Sequence, residues 1–329
     1  MTTWLVTGGA GYIGSHVTRA LLAAGEGVVI LDDLSTGAKD RIPDGVPAEI
    51  AKVHDRAVLA RLIAEHEVGG VIHVAAKKQV GESVQRPTWY FEENLEGLRT
   101  LLDVAVVEAG IDKFVFSSSA AVYGEVDVEL VTEQTPCVPA SPYGETKLIG
   151  EWLIKDVARA AGLAGRQFAY ANLRYFNVAG AGSPELGDPV ALNLIPMVFT
   201  KLEAGEHPLI FGDDYPSADG TCIRDYIHVA DLAEAHVAAA LRLDRDPKTA
   251  LTLNLGTGTG ASVKEVISTI LEHTGIDLPP VIVPRRPGDP VQLVASAELA
   301  RQEIGWSATR DLQDMIVSAW AGWRHRHDR

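Results

Sequence analysis

Short apolar runs and helix-period patterns alternate through the first 120 residues. Residues 4–6, 27–31, 71–74 and 114–116 are apolar runs of the kind that forms strands buried on both faces. Between them, residues 14–24, 55–65 and 94–109 place apolar side chains at helical spacing, and Asp55 stands where an N-cap is needed. This βαβα alternation predicts an α/β fold built on a doubly wound parallel sheet with right-handed crossovers.

The second half is less regular. Pro and Gly gather at 179–189, 212–220 and 279–290. Helices are expected over 142–161 and 229–243, and residues 251–255 read as another buried strand. The expected organisation is a first domain over 1–176 and a smaller, mixed α/β domain over 177–329. Segments near 223–260 are expected to return to the first domain.

Composition narrows the classes. Apolar residues make up 47% of the 329 and charged residues 22%, which suits a globular chain and excludes collagen, coiled coil and disorder. Lys and Arg number 29 against 44 Asp and Glu, so the net charge of −15 repels a polyphosphate backbone, and no nucleic-acid partner is expected. Any phosphate must be gripped locally, by backbone amides and a few placed cations. Cys137 and Cys222 are the only cysteines, which gives no disulfide framework, no zinc cluster and no expected metal site. No apolar run reaches the roughly 20 residues of a membrane span. No basic stretch followed by an apolar one opens the chain. A cytoplasmic protein without a membrane partner is expected.

Gly8, Gly11 and Gly14 follow the first strand and open the first helix. In that context one glycine permits a tight turn, one lets backbone approach a pyrophosphate, and one lets helix and sheet pack closely. The helix N-terminus adds free N–H groups and a positive dipole. This is a Rossmann-type dinucleotide site. Asp32 ends the second strand, where a carboxylate can accept hydrogen bonds from the adenosine ribose hydroxyls, so NAD is expected over NADP; Asp33 is the alternative acceptor.

Ser117, Ser118 and Ser119 follow the strand at 114–116. Further on, Ser141 is a suitable N-cap and Pro142 suits the first helical position, which puts Tyr143 and Lys147 one turn apart on one helix face. A free Tyr has a pKa of about 10, and a nearby ammonium lowers it. The pair is therefore a candidate acid/base for a carbinol proton, with a strand-end serine to hold the same oxygen.

The ordered set Gly8, Gly11, Gly14, Ser119 and Tyr143-x-x-x-Lys147 resembles the extended short-chain dehydrogenase/reductase superfamily. The stretches at 78–84, 116–124, 173–177, 211–216, 224–229 and 285–289 are similar to those of the UDP-glucose (UDP-galactose) 4-epimerases, and the resemblance runs from Thr7 to about residue 306. It implies reversible epimerisation at C4 of a UDP-sugar through a transient 4-keto sugar, with tightly bound NAD, in a homodimer. Ser119, Tyr143 and Lys147 would be catalytic. Cofactor contacts would come from Tyr12 and Ile13 in the glycine turn, from Val53, Lys78 and Asn94, and from Ser117 and Tyr175. Substrate contacts would come from Lys78, Phe176, Asn177, Asn193 and Leu194. Arg224 and Arg286 would hold the diphosphate, Phe211 the uracil, Asp289 the ribose, and Leu293 would bear on sugar size.

The chain also departs from that pattern. Lys52 stands where the family carries an adenine-side carboxylate, and Ala121 where it often has Thr. Ala120 and Ala121 occupy the place of the acid/base pair of sugar-nucleotide dehydratases, which disfavours dehydration. A 4-epimerase of an N-acetylhexosamine, pentose or uronate, and a non-catalytic NAD-binding regulator, are the rival readings. His73 reads as a satisfied core histidine and His16 as facing out of the first helix. Trp306, Trp320 and Trp323 read as C-terminal packing, and residues 324–327 as a frayed, solvated tail.

Overall fold

The near-continuous apolar runs become strands whose side chains alternate between two covered faces. The computed structural model describes residues 1–286 and 290–327. Its strands are β1 (Thr3–Thr7), β2 (Gly27–Asp32), β3 (Ala48–Ile50), β4 (Gly70–His73), β5 (Lys113–Ser119), β6 (Ala169–Tyr175), β7 (Asn177–Ala179), β8 (Leu209–Phe211), β9 (Ile223–His228), β10 (Ala250–Leu255), β11 (Gly260–Ser262), β12 (Val281–Val283) and β13 (Gln292–Leu293). Seven of them form one sheet in the order β10-β6-β5-β4-β1-β2-β3, and its strand pairs are parallel. The order reverses between β1 and β4, and ligands of such sheets bind at the carboxyl ends beside that reversal. Thr7 and His73 sit opposite each other there, and Ser119 opposite Tyr175.

Helices cover both faces. They are α1 (Tyr12–Ala23), α2 (Arg56–Glu65), α3 (Val80–Gln85), α4 (Pro87–Phe91), α5 (Gly97–Leu102), α6 (Pro142–Leu163), α7 (Leu194–Glu203), α8 (Val229–Arg245), α9 (Val263–Thr274), α10 (Glu298–Ile304) and α11 (Leu312–His327). Trp4, Val6, Ile30, Ile72 and Leu173 pack with α1, α8 and α10 on one face. Leu5, Val29, Val71, Phe114 and Phe116 pack with α2, α5 and α6 on the other. Smaller sheets carry the rest: β9 pairs with β7, β11 and β13, and β8 pairs with β12.

The expected helices form, with differences at their ends. The helix expected from residue 94 already runs from Pro87, and π turns at Glu92–Glu96 and Asp103–Glu108 flank α5. Asp55 caps α2, its carboxylate accepting from the N–H groups of Ala57 and Val58. Two strands of the large sheet carry no clear sequence signal. β3 is three residues long with both ends exposed. In β6, Asn172 and Arg174 are buried polar side chains that interrupt the apolar run.

Two expectations are corrected. His16 does not face solvent. It is buried under the loop after β7, and its Nε2 accepts the Gly182 N–H at 2.9 Å. Residues 324–327 are not a frayed tail. They complete the last turn of α11, and Arg326 donates to the carbonyls of Gly187 and Asp188. The tryptophans pack as expected: Trp320 and Trp323 lie against Phe199, and buried Trp306 donates to the Asp231 carbonyl at 2.9 Å.

Asp225 of β9 knots the second half of the chain. Its carboxylate is wholly buried and accepts from the N–H groups of Thr257, Gly258 and Ala295 and from the Thr257 hydroxyl. Burial pushes its pKa up, and these donors pull it back. Asp225→Ala strands the buried Ala295 N–H and three half-buried donors of Thr257 and Gly258, and a buried one costs about 1–3 kcal/mol. The expected outcome is a loss of several kcal/mol, read as a lower denaturation midpoint in urea.

Candidate active site

The site is built where β1 gives way to α1. Gly8 takes φ +73°, a left-handed conformation, and its N–H donates to the Leu31 carbonyl at 2.8 Å. A Cβ on Gly14 would lie 2.0 Å from the Gly8 carbonyl oxygen, so only glycine lets the helix begin so close to the turn. α1 has neither a side-chain cap nor an acidic residue in its first turn. Its first N–H groups and its positive dipole end are therefore left for an anion. Gly8, Gly11, Tyr12, Ile13 and Gly14 all line a cavity of about 380 Å³. Tyr12 contributes its place in the turn; its hydroxyl is buried and donates to the Gly180 carbonyl at 2.5 Å.

Asp32 and Asp33 line the same cavity. The Asp32 carboxylate accepts the Ala10 and Leu34 N–H groups at 2.9 and 2.8 Å, which shapes the turn, and burial raises its pKa. Each carboxylate oxygen keeps a second lone pair for a ribose hydroxyl. Burial also works to raise Asp33, but the Ser35 hydroxyl and N–H and the Lys77 ammonium outweigh it and hold its pKa low. Beyond them Val53 and Lys52 close the cavity, and Lys52 pairs with Glu93 at 2.8 Å.

At the other end, Ser141 accepts the Gly144 N–H at 3.3 Å and Pro142 opens α6 as expected. The start of α6 packs on the turn after β5 (Ala120–Val122), which brings Tyr143 against Ser119. The Ser119 hydroxyl and the Tyr143 phenol line the same cavity, and Ser119 is the polar neighbour that bears on the phenol. Burial raises the Tyr143 pKa and this neighbour lowers it. Lys147 is also buried. Its Nζ donates to the Ser117 carbonyl at 2.8 Å and lies 4.9 Å from the centre of the Phe116 ring. Burial pulls its pKa down to about 7, against an upward pull from Glu151. Ser119 is thus a further group that lowers the Tyr143 pKa, beside the ammonium expected to do so.

Not every residue named from the sequence faces the cavity. Ser119, Tyr143, Lys147, Tyr175, Phe176 and Lys78 do. Ser117 is fully buried; its hydroxyl meets His236 at 3.0 Å, while its carbonyl holds Lys147. Asn94 lies behind the wall. Its amide grips the Lys77 N–H and carbonyl and the Thr146 hydroxyl, so it positions the segment that carries Lys78. His73 is the satisfied core histidine expected: it meets the Thr7 hydroxyl at 2.7 Å and stacks on Phe116, although its ring also borders the cavity.

A second cavity, of about 440 Å³, shares Asn177 and Asn193 with the first. Leu194, Phe211, Arg224 and Arg286 line it. The Arg286 guanidinium lies 3.8 Å from the centre of the Phe211 ring. Arg224 donates to the Ile223 and Pro290 carbonyls at 2.8 and 2.9 Å, which fixes its place on β9. Arg285 faces elsewhere, paired with Asp214 at 2.5 Å and stacked on Tyr215. Leu293 lines the first cavity with Ala120 and Ala121, which bring no acid or base. Asp289 lies outside the described residues.

Sequence reasoning missed Glu151 and Arg174. Arg174 grips Glu151 through Nε and Nη2 at 2.9 and 2.5 Å, both side chains buried. A helical stripe of 143, 147 and 151 is the signal that marked Glu151; Arg174 in an otherwise apolar strand marked its partner. Among the described residues, no group of three or more His, Cys, Asp or Glu side chains could hold a metal ion, and no helix is long and apolar enough to cross a membrane.

Comparison with known proteins agrees with this geometry. Residues 4–256 match the NAD dependent epimerase/dehydratase family. The chain is 46% identical over 323 residues to UDP-glucose 4-epimerase of Azospirillum brasilense, covering 97% of this chain and 91% of the relative. Among solved structures, UDP-glucose-4-epimerase of Stenotrophomonas maltophila, with bound NAD and formylated UDP-arabinopyranose, aligns with a TM-score of 0.94 at 41% identity, over 100% of this chain and 99% of that one. UDP-glucose 4-epimerase of Bifidobacterium longum, in complex with NAD+ and UDP, aligns with a TM-score of 0.88 at 38% identity, over 99% of each chain.

Because Ser119 lowers the Tyr143 pKa, Ser119→Ala is expected to raise it. The measurement is the phenolate absorbance lost in Tyr143→Phe, followed against pH in both backgrounds.

Proposed function

The chain belongs to the NAD dependent epimerase/dehydratase family, and we propose that it is a UDP-glucose 4-epimerase, an isomerase that interconverts UDP-galactose and UDP-glucose with the help of bound NAD. The observation that carries this reading is the meeting of two cavities at Asn177 and Asn193, one lined by Ser119, Tyr143 and Lys147 and the other by Arg224, Arg286 and Phe211.

The residues present fit the dinucleotide. The uncapped start of α1 offers N–H groups to a pyrophosphate, with Lys78 on the same wall. Asp32 and Asp33 offer carboxylate oxygens to ribose hydroxyls and place negative charge where a 2′-phosphate would lie, so NAD suits the site better than NADP. Lys147 and Tyr175 stand at the nicotinamide end. NAD supplies a reversible hydride acceptor there.

The chain's own side chains do the rest. Tyr143 takes the proton of the sugar 4-hydroxyl, and Ser119, which lines the same cavity, holds the same oxygen. Inverting C4 through a transient 4-keto sugar requires the ketone to present both faces in turn. The sugar must therefore turn over while the nucleotide stays held. Arg224 and Arg286 carry the planar forks that grip a diphosphate, and Phe211 offers a stacking face for uracil. These anchors line the second cavity and not the first, so the held end and the reacting end are separate. Ala120 and Ala121 bring no acid or base, which argues against loss of water.

The finer readings follow the same logic. Leu293, on the wall of the reacting cavity, bears on which sugars turn over. Asp289 is assigned to the ribose by resemblance alone. Residues 1–176 serve NAD and residues 177–329 mainly the UDP-sugar. Trp152 of α6, 57% exposed, and Val107, 53% exposed, give outward apolar faces suited to pairing in a homodimer. Cys137 and Cys222, neither in a disulfide, suit a reducing cytoplasm.

The purified chain given UDP-galactose without added NAD should form UDP-glucose, followed by chromatography, with UDP-N-acetylglucosamine and UDP-xylose offered in parallel. Tyr143→Phe should lower turnover by about 10²–10⁴-fold while the protein still binds NAD by direct titration. Undiminished turnover in that variant sinks the assignment.

A further inference from the structure

The stripe that α6 turns toward the sheet continues past the two residues already given roles. Tyr143, Lys147 and Glu151 follow at successive turns, and all three are buried. Glu151 is held on both oxygens. Its Oε1 accepts the Ser118 hydroxyl at 2.5 Å and Arg174 Nε at 2.9 Å, and its Oε2 accepts Arg174 Nη2 at 2.5 Å. A carboxylate gripped by a guanidinium fork cannot swing away.

The groups that face Lys147 can be taken element by element. β5 presents the Ser117 carbonyl and the Phe116 ring. β4 presents His73, which burial and Lys147 keep neutral, with a pKa of about 3. α6 presents Tyr143 and Glu151. β6 presents Tyr175, and beyond Glu151 it presents Arg174. Burial raises the pKa of both tyrosines. Among the described residues facing Lys147, Glu151 alone carries a full negative charge. A buried ammonium bonded to one neutral carbonyl loses its proton readily, and a fixed carboxylate one turn away opposes that loss.

We propose that Glu151, fixed by Arg174 and Ser118, is a positioning residue for the reaction that keeps the buried Lys147 ammonium charged beside Tyr143. The proposal rests on the epimerase reading for its consequence but not for its first measurement. The same anchor runs on to the substrate wall. Arg174 Nη1 donates to the Tyr123 hydroxyl at 2.9 Å, which donates to Asn254 Oδ1 at 2.7 Å. Asn254 Nδ2 then donates to the Val131 carbonyl at 3.0 Å, and Val131 bridges to Ala295, two residues beyond Leu293. Glu151 therefore stands on the framework that also sets the sugar side of the cavity.

The test titrates Lys147 itself. Full-length protein with lysine labelled at Cε gives a Lys147 resonance assigned by its loss in Lys147→Met. In the wild type its midpoint should lie at about 7. In Glu151→Gln it should fall by about one unit, a tenfold change in the protonation ratio. The alkaline limb of UDP-galactose epimerisation should move down with it, because Lys147 then loses its charge at a lower pH. Glu151→Asp, which keeps the charge, should return the midpoint most of the way. Removing one partner of a buried ion pair destabilises the fold strongly, so Glu151→Gln/Arg174→Gln decides the matter if the single variant does not fold. A midpoint unmoved in the folded variant overturns the proposal. So does a pH profile lowered uniformly with its limbs in place. A wild type that titrates as expected but epimerises no UDP-sugar overturns the reading of function and, with it, Glu151's part in the reaction.

Discussion

A buried ion pair between Arg174 and Glu151 is the joint on which the reacting end of this protein depends. It ties β6 to α6, with the Ser118 hydroxyl of β5 bonded to the same carboxylate. Those three elements carry Tyr175, then Tyr143 and Lys147, then Ser119. Their relative placement is therefore held by a charged contact inside the molecule. Such a pair is an uncertain source of stability, since desolvating two charges offsets most of their attraction. Its value here is geometric. A fork and a carboxylate admit few arrangements, whereas apolar packing admits many small slides. Burial pushes the neighbouring Tyr123 phenol up to about 12, so it stays a neutral link between Arg174 and Asn254.

The charge distribution follows the same division of labour. A chain of net charge −15 gathers Arg224 and Arg286 on the wall of one cavity, and they are kept there by backbone carbonyls and an aromatic face. Arg285, next in sequence to Arg286, is instead paired with Asp214. Neighbours in sequence thus have different tasks, set by the partner each meets across the fold. The arginine-lined cavity and the tyrosine-lined one are separate and meet at Asn177 and Asn193.

Several readings made from the residues alone match the structure because their causes are local. The Gly8–Gly14 turn, the Asp55 cap and the Ser141-Pro142 helix start each depend on a few adjacent residues. Other readings failed where a distant element intervenes. His16 looked solvent-facing on its helix until the loop at Gly182 covered it. Residues 324–327 looked like a loose tail, but Arg326 reaches back to Gly187 and Asp188. β6 was hidden because Asn172 and Arg174 break its apolar run. Asn94 and Ser117, expected as cofactor contacts, bond the Lys77 backbone and the Lys147 ammonium.

The sequence by itself determined the alternation of strands and helices, the uncapped helix start behind the glycine turn, and the placement of Tyr143 and Lys147 on one face of one helix. These follow from backbone sterics, capping and the 3.6-residue period, all of which act over a turn or two. Only the tertiary structure decided that Ser119 and Tyr143 line one cavity, that Lys147 meets the Ser117 carbonyl, that Glu151 is locked by Arg174, and that Arg224 and Arg286 line another cavity with Phe211. Those contacts depend on the strand order of the sheet and on packing between segments far apart in the chain, and such packing leaves no period in the sequence to read.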